Sequence, residues 1–304
     1  MDAVFAYEYT PSARILVTDE DAADFLQSQF SNELRPFAPG QCSYGLWLDV
    51  KGKVVADSWI LCEGAERFRI FSEHSPAQVI VGKLQQHIIA DDVELEELVP
   101  LPAVSLTGAG VAEVLRQLIG QVPEVGRFVS ADGLLVVAGR RTLAPSYEVF
   151  FESVAASDDF RSDLKAAGVE FVDKVWMEQQ RLAAGIPEVP TEIGPQDLPG
   201  EGGFEVDAIS FNKGCFLGQE VVARMHHVGQ ARRALYIVQG VGACPSCPML
   251  LTDDAGKTMG ELRSVIADSQ GWLGVALLKT LHVELGQQLI YSGGNARVIR
   301  FLRR

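Results

Sequence analysis

Eleven residues, Ser210 to Glu220 in the order SFNKGCFLGQE, carry the densest chemistry of this sequence. Cys215 stands two positions after Lys213 and just before what reads as a helix start, with Gln219 and Glu220 in the first turn. A thiolate is favoured beside positive charge or at a helix N-terminus. Free cysteine is also among the most buried residue types. Cys215 is therefore either a small apolar packing residue or a thiol held ready for chemistry. Gly214 and Gly218 would let a ligand approach the backbone closely. Between residues 212 and 233, four cations (Lys213, Arg224, Arg232, Arg233) oppose one Glu, a local +3 inside a chain of net charge −14. Exposed helix-start amides with cations nearby make an anion site.

Other clusters carry less. His226 and His227 are adjacent, so their side chains diverge on a helix and do not form a metal pair. Cys244 and Cys247 have CxxC spacing but no partner CxxC, and they read as a turn between β-runs. Gly108 and Gly110 read as a tight strand-to-helix turn, because a dinucleotide loop would need a third glycine. Trp176 opens a helix and offers either a packing face or a stacking surface for a flat heterocycle. No G-x-S-x-G, H-E-x-x-H or P-loop occurs.

The elements that must position these residues follow from periodicity. RILVT (14–18) reads as a buried strand, with Thr18 capping the helix that contains Phe25, Leu26 and Phe30. Two β-rich runs flank Lys51-Gly52-Lys53, a hairpin turn, and RFRIFSE alternates as a further strand. A helix follows Ser75-Pro76, and DDVELEEL reads as an exposed or edge strand. PAVSLTG, LLVVAGR and YEVFFES are strands; AGVAEVLRQLIG, SDDFRSDLKAAG and VWMEQQRLAAG are helices. Residues 186–207 are rich in Pro and Gly, and from 191 to 207 they hold five acidic residues and no basic one. A linker is the default reading of such a stretch, although long ordered loops are often functional. Beyond residue 226, short strands separated by turns predict a small all-β module.

The 304 residues, 47% hydrophobic and 22% charged, suit a globular chain of two or three domains. The acidic balance disfavours non-specific binding to nucleic acid or to an anionic membrane. Five unevenly spaced cysteines argue for a reducing compartment. No apolar run approaches the roughly 20 residues that cross a bilayer, and MDAVFAYEYT lacks targeting features. A cytoplasmic location is expected.

The run FNKGCFLGQEVVARMHHVGQARRAL (211–235) resembles the K-G-C-[YF]-x-G-Q-E signature of the YgfZ family of folate-binding proteins, and RLAAGIPEVPTEIGPQDLP, FLQSQFSNEL and LDVKGKVVADSWIL resemble other family segments. The resemblance covers most of the chain. It implies an α+β fold like the glycine-cleavage T-protein, with three domains around a central hole and a C-terminal β-barrel. Residues 1–226 would form the folate-binding region and 227–304 the barrel domain. It also implies tetrahydrofolate or a derivative as cofactor. The implied role is in iron–sulfur cluster assembly or repair, with iron–sulfur enzymes or assembly proteins as partners and tRNA-modifying enzymes served. Carried over by position, Lys213, Gly214, Cys215, Gln219 and Glu220 match the signature. Trp176 falls where a family tryptophan lies near folate, and Arg224 joins the expected cofactor contacts. Cys215 would be the reactive group, facing the interdomain cavity, and basic residues near 213–233 would meet the folate tail. Where the T-protein carries transfer carboxylates, this sequence has Ala56 beside Asp57, and Ala183 in RLAAG. An aminomethyltransferase is the alternative that these alanines disfavour; direct tRNA binding is the one disfavoured by charge.

Overall fold

The structure is a computed structural model that describes residues 2–228 and 231–303, leaving aside the side chains of 225–228. In chain order the first strands are β1 (Phe5–Tyr9), β2 (Ala13–Thr18), β3 (Gln41–Leu48), β4 (Val54–Gly64), β5 (Arg67–Ser72), β6 (Glu94–Glu97), β7 (Ala103–Thr107), β8 (Phe128–Ala131), β9 (Leu134–Ala138), β10 (Ser146–Phe151) and β11 (Glu170–Phe171). The helices are α1 (Ala22–Gln29), α2 (Ala77–Gln85), α3 (Val111–Ile119), α4 (Val154–Ala166), α5 (Lys174–Ala184) and α6 (Gln219–Val228). Six later strands follow: β12 (Arg233–Gly240), β13 (Met249–Thr252), β14 (Thr258–Asp268), β15 (Gly271–Lys279), β16 (Gln288–Tyr291) and β17 (Gly294–Phe301).

They build two open sheets and one closed barrel. One sheet runs β3-β4-β5-β2-β6, the other β11-β1-β7-β10-β9-β8, and the barrel β12-β15-β14-β13-β16-β17. The acidic strand β6 lies at a sheet edge, where its charges face water, as expected from its composition. Alternation explains the rest. On β5, Phe68 and Ile70 point into a core with Phe25 and Leu26 of α1 and Ile80 and Leu84 of α2. α3 and α4 bury Val114, Leu115, Phe160 and Leu164 against the other sheet. The two sheets meet through Phe71 and Phe150, whose rings stack at 4.1 Å, together with Cys42, Leu61, Leu135 and Val137. Thr18 ends β2 instead of capping α1; Asp21 takes the cap position, without a side-chain hydrogen bond.

The Pro- and Gly-rich stretch departs most from expectation. It is a packed part of the core, not a linker. Ile193, Phe204 and Ala208 are fully buried among Leu46 and Leu48 of β3 and Leu235, Val275 and Leu277 of the barrel. Four of its acids, Glu192, Asp197, Glu201 and Asp207, are paired with arginines from elsewhere. Arg181 on α5 forms a double hydrogen bond to the fully buried Glu192 at 3.0 and 2.8 Å. Ser264 of β14 donates to the same carboxylate at 2.6 Å. Arg233 grips Glu201 with two bonds of 2.8 Å and also reaches the buried Asp197, which pairs with Arg263 too. Asp207 lies between Arg140 and Arg303.

A buried charge stripped of its partner is costly. Arg181→Met is therefore expected to lower the unfolding free energy by about 3–5 kcal/mol. Adding Glu192→Gln should recover part of that loss, because it removes the stranded charge. Urea denaturation of both variants checks this.

Candidate functional site

A cavity opens where the two sheets, α5 and the segment after it converge. It encloses about 600 Å³, counting the solvent at its mouth. Tyr9 comes from β1, Tyr44 from β3, Asp57 and Trp59 from β4, and Glu148 from β10. Glu73 and His74 follow β5, Arg140 and Arg141 follow β9, and Arg181 and Glu188 close the remaining side. The walls are partly aromatic. Trp59 meets Tyr44 edge-on at 5.5 Å, and the Arg140 guanidinium lies 3.9 Å from the centre of the Tyr44 ring. That close cation–π contact fixes the ring on one side.

Polar groups in the walls are heavily cross-bonded. The Asp57 carboxylate accepts from Tyr44 Oη (2.7 Å), Ser75 Oγ (2.7 Å) and Ser72 Oγ (3.1 Å). Burial raises the Tyr44 phenol well above its ordinary range; Arg140 opposes the shift and Asp57 adds to it, so Tyr44 is a fixed donor. Arg141 is shared by two acids. It donates to Glu73 at 2.7 Å and to Glu148 at 3.4 Å, while Tyr9 and Ser105 donate to Glu148 at 2.8 and 3.0 Å. Burial lifts the Glu148 carboxyl above the usual range despite Arg141. Burial pushes Glu73 the same way, but Arg141 and then His74 outweigh it and hold Glu73 low. His74 Nε2 is buried and makes no hydrogen bond. It lies 3.4 Å from Glu73 Oε1 and 3.6 Å from Glu188 Oε2.

The residues singled out from the sequence lie elsewhere; none of them lines this cavity. Lys213 is buried, and its ammonium donates to the carbonyls of Gln27 (2.8 Å), Phe30 (2.7 Å) and Asn32 (2.8 Å). It thus caps the C-terminal end of α1, where carbonyls lack helical partners. Burial pulls its pKa down to about 8. Cys215 and Gly214 are exposed, and a Cβ built on Gly214 would meet no atom within 4 Å. Gly218 and Gly52, by contrast, both need to be glycine. Both have positive φ, and the KGK hairpin turn and the start of α6 touch backbone to backbone: a Cβ on Gly218 would sit 2.8 Å from Asp49 O. Gln219 is half-buried, and Glu220 and Arg224 are exposed on α6. The side chains of His226 and His227 lie outside the described residues. Arg233 is engaged by Glu201 and Asp197, so of the basic stretch Arg224 and Arg232 remain exposed. Trp176 is half-buried and packs on Phe5 at 4.7 Å between ring centres. Cys244 is exposed and Cys247 half-exposed. Among the described residues no group of three His, Cys, Asp or Glu could hold a metal ion, and no helix is long and apolar enough to cross a membrane.

Sequence reasoning missed the cavity-lining Glu73-His74, Arg140-Arg141 and Glu188. One signal was available: two of these are polar pairs at the ends of strands, Glu73-His74 directly after RFRIFS and Arg140-Arg141 one residue after LLVVA, where a strand end delivers side chains to a sheet rim.

Comparison with known proteins fits this architecture. Residues 1–133 match the GCVT N-terminal domain. The fold superposes on the glycine cleavage system aminomethyltransferase T of Bartonella henselae with a TM-score of 0.80 at 16% identity, over 98% of this chain and 85% of that one. The mitochondrial iron-sulfur cluster assembly factor IBA57 of Mus musculus is 25% identical over 92% of this chain and 80% of its own length. The tRNA-modifying protein YgfZ of Edwardsiella ictaluri is 26% identical over 74% of this chain and 68% of its own. The chain is a relative of the YgfZ and IBA57 proteins. The three-unit T-protein arrangement with a closed six-stranded C-terminal barrel is thereby borne out. At the two positions of interest, Ala56 is fully buried in the α1–α2 core and Ala183 is an exposed residue of α5.

Lys213 and Cys215 can be separated experimentally. Lys213→Met leaves three carbonyls without their donor and is expected to lower stability by about 2–4 kcal/mol; an unchanged urea midpoint would reassign the ammonium to a ligand. Iodoacetamide should modify Cys215 rapidly in the native protein, within a Cys244→Ser/Cys247→Ser background, while the buried Cys42 and Cys62 stay unmodified until unfolding.

Proposed function

We propose that this chain is a folate-binding accessory protein of iron–sulfur cluster assembly or repair, supporting iron–sulfur enzymes that modify tRNA. Its ligand is tetrahydrofolate or a derivative. One observation carries the reading: an aromatic, carboxylate-rich cavity lies at the junction of the units of a T-protein fold, in a chain whose relatives are named for cluster assembly and tRNA modification. The donor set suits a folate. Tyr44 and Trp59 offer ring faces, and the Glu188 carboxylate offers oxygens that accept no hydrogen bond from a described residue. A bound tetrahydrofolate would supply a one-carbon carrier.

The residues argue against aminomethyl transfer. Asp57 is occupied by three hydroxyl donors, and its neighbour Ala56 points into the core, so no free carboxylate stands on the hairpin to act as a base. Cys215, exposed and outside the cavity lining, supports a role with a sulfur species or cluster intermediate brought by an iron–sulfur protein.

Trp59 is the only one of the four tryptophans that lines the cavity. Titration with tetrahydrofolate is therefore expected to quench tryptophan emission in the wild type and in Trp176→Phe. Trp59→Phe should lose most of the quenching while calorimetry still detects binding. Quenching that disappears with Trp176 instead would move the ligand out of this cavity, and no binding at all would end the folate reading.

A further inference from the structure

We propose that Cys244 and Cys247 form a thiol–disulfide exchange site at the end of the barrel, taking a small-molecule disulfide as substrate and closing into a disulfide of their own. This activity is independent of the folate reading. Cys42 and Cys62 are buried in β3 and β4, and Cys215 stands just before α6, so of the five cysteines only these two share a loop. β12 and β13 are not neighbours in the barrel, and residues 241–248, which join them, run across its end. Both ends of that connection are fixed. Gly240 pairs with Trp272 and with Ala296, while Met249 pairs with Leu262 and its sulfur accepts from Ser292 Oγ at 3.3 Å. Cys247 is half-exposed and packs against the barrel core that holds Trp272 and Leu262; Cys244 is exposed.

The loop brings the two thiols together with little freedom between them. Only Pro245 and Ser246 intervene, and the proline ring fixes one of the backbone angles. Burial pushes the Cys247 thiol up, and the charges of Cys244 and then Glu261 push it further, so each sulfur lies within range of the other's charge. The two residues differ in access, and that sets the order of events. Cys244, the exposed one, attacks as a thiolate on a disulfide R–S–S–R, giving Cys244–S–S–R and one RS⁻, which takes up a proton. Cys247 then loses its proton, and its thiolate attacks Sγ of Cys244 and expels the second RS⁻, which is protonated in turn. Two electrons leave the protein dithiol and reduce R–S–S–R to two thiols; the two thiol protons end on RSH. The second step is intramolecular and needs no further reactant. In reverse, the leaving group is Cys247, and a thiol held high leaves slowly, so the closed disulfide resists reopening. The pair is thus a two-electron donor on the barrel surface, on a different element from Cys215.

The test incubates the full-length native protein with glutathione disulfide near neutral pH, quenches with acid and maps the cysteine peptides by mass spectrometry. The wild type is expected to end with a Cys244–Cys247 disulfide and no glutathione on either residue. Cys247→Ser, which cannot close, should retain glutathione on Cys244. Cys244→Ser should take up glutathione at Cys247 about tenfold or more slowly than Cys247→Ser takes it up at Cys244. Thermal midpoints matching the wild type would confirm that both variants are folded. Glutathione left on Cys244 of the wild type, with no closed disulfide, would overturn the pairing. Glutathione confined to Cys215, or a disulfide joining Cys215 to Cys244 or Cys247, would overturn the site itself. Equal rates of uptake in the two variants would overturn the order of attack.

Discussion

Arg181 sits where α5, the acidic segment after it and the barrel come together. Its guanidinium bonds Glu178 on its own helix, the carbonyl of Ile186, and both oxygens of Glu192. Desolvation of so buried a cation works against its charge, and Glu192 and Glu178 reverse that effect. Ser264 then ties the same carboxylate to the barrel. Ion pairs of this kind add little net stability compared with apolar packing, but they hold geometry tightly. Here the geometry is that of the cavity: Ile186 to Val189, which line one side, are the residues between the two ends of the clamp.

The same logic runs through the whole acidic segment. Asp197 holds Arg233 and Arg263, Glu201 holds Arg233, and Asp207 holds Arg140 and Arg303. These acids draw arginines from three parts of the chain, the turn after β9 (Arg140), the barrel (Arg233, Arg263) and the C-terminal end (Arg303), so a stretch with few regular elements becomes the seam joining both sheets to the barrel. This also explains why the region reads wrongly from sequence. Local composition, rich in Pro, Gly and acid, is what a solvated linker shows. The partners that bury it lie 36 residues away for Asp197–Arg233, 67 for Asp207–Arg140 and 96 for Asp207–Arg303. Charge pairing over such separations leaves no mark in a local window.

What was legible was local. The KGK hairpin, the alternating strands around it, the edge position of β6 and the all-β C-terminal module all follow from residue period and turn chemistry. The cavity was not, because its polar lining joins residues as distant as Tyr9 and Glu148, 139 apart. Lys213 shows the limit most clearly. Its proximity to Cys215 in sequence suggests a cation serving the thiol, yet the ammonium turns inward to carbonyls more than 180 residues upstream. Sequence spacing locates a charge along the chain and says little about which way a long side chain points.

The inward turn of Lys213 changes what the Lys-Gly-Cys run does. Around the cysteine the backbone is pinned at several points: Ser210 N–H to Ser31 O, Lys213 to the end of α1, Leu217 N–H to Ser28 O, and the Phe216 ring in the core. Gly218 then locks the start of α6 against the hairpin turn. Between the Lys213 and Phe216 anchors stand two exposed residues, Gly214 and Cys215, the glycine with open space where a side chain would be. A thiol on a flexible loop would have to be ordered when a partner meets it, and that entropy would weaken the encounter. Here the ordering is done in folding, by a buried lysine whose desolvation is offset by three carbonyls. The run is thus a rigid mount that holds Cys215 on the surface, with steric room beside it, while the aromatic cavity is built from other residues.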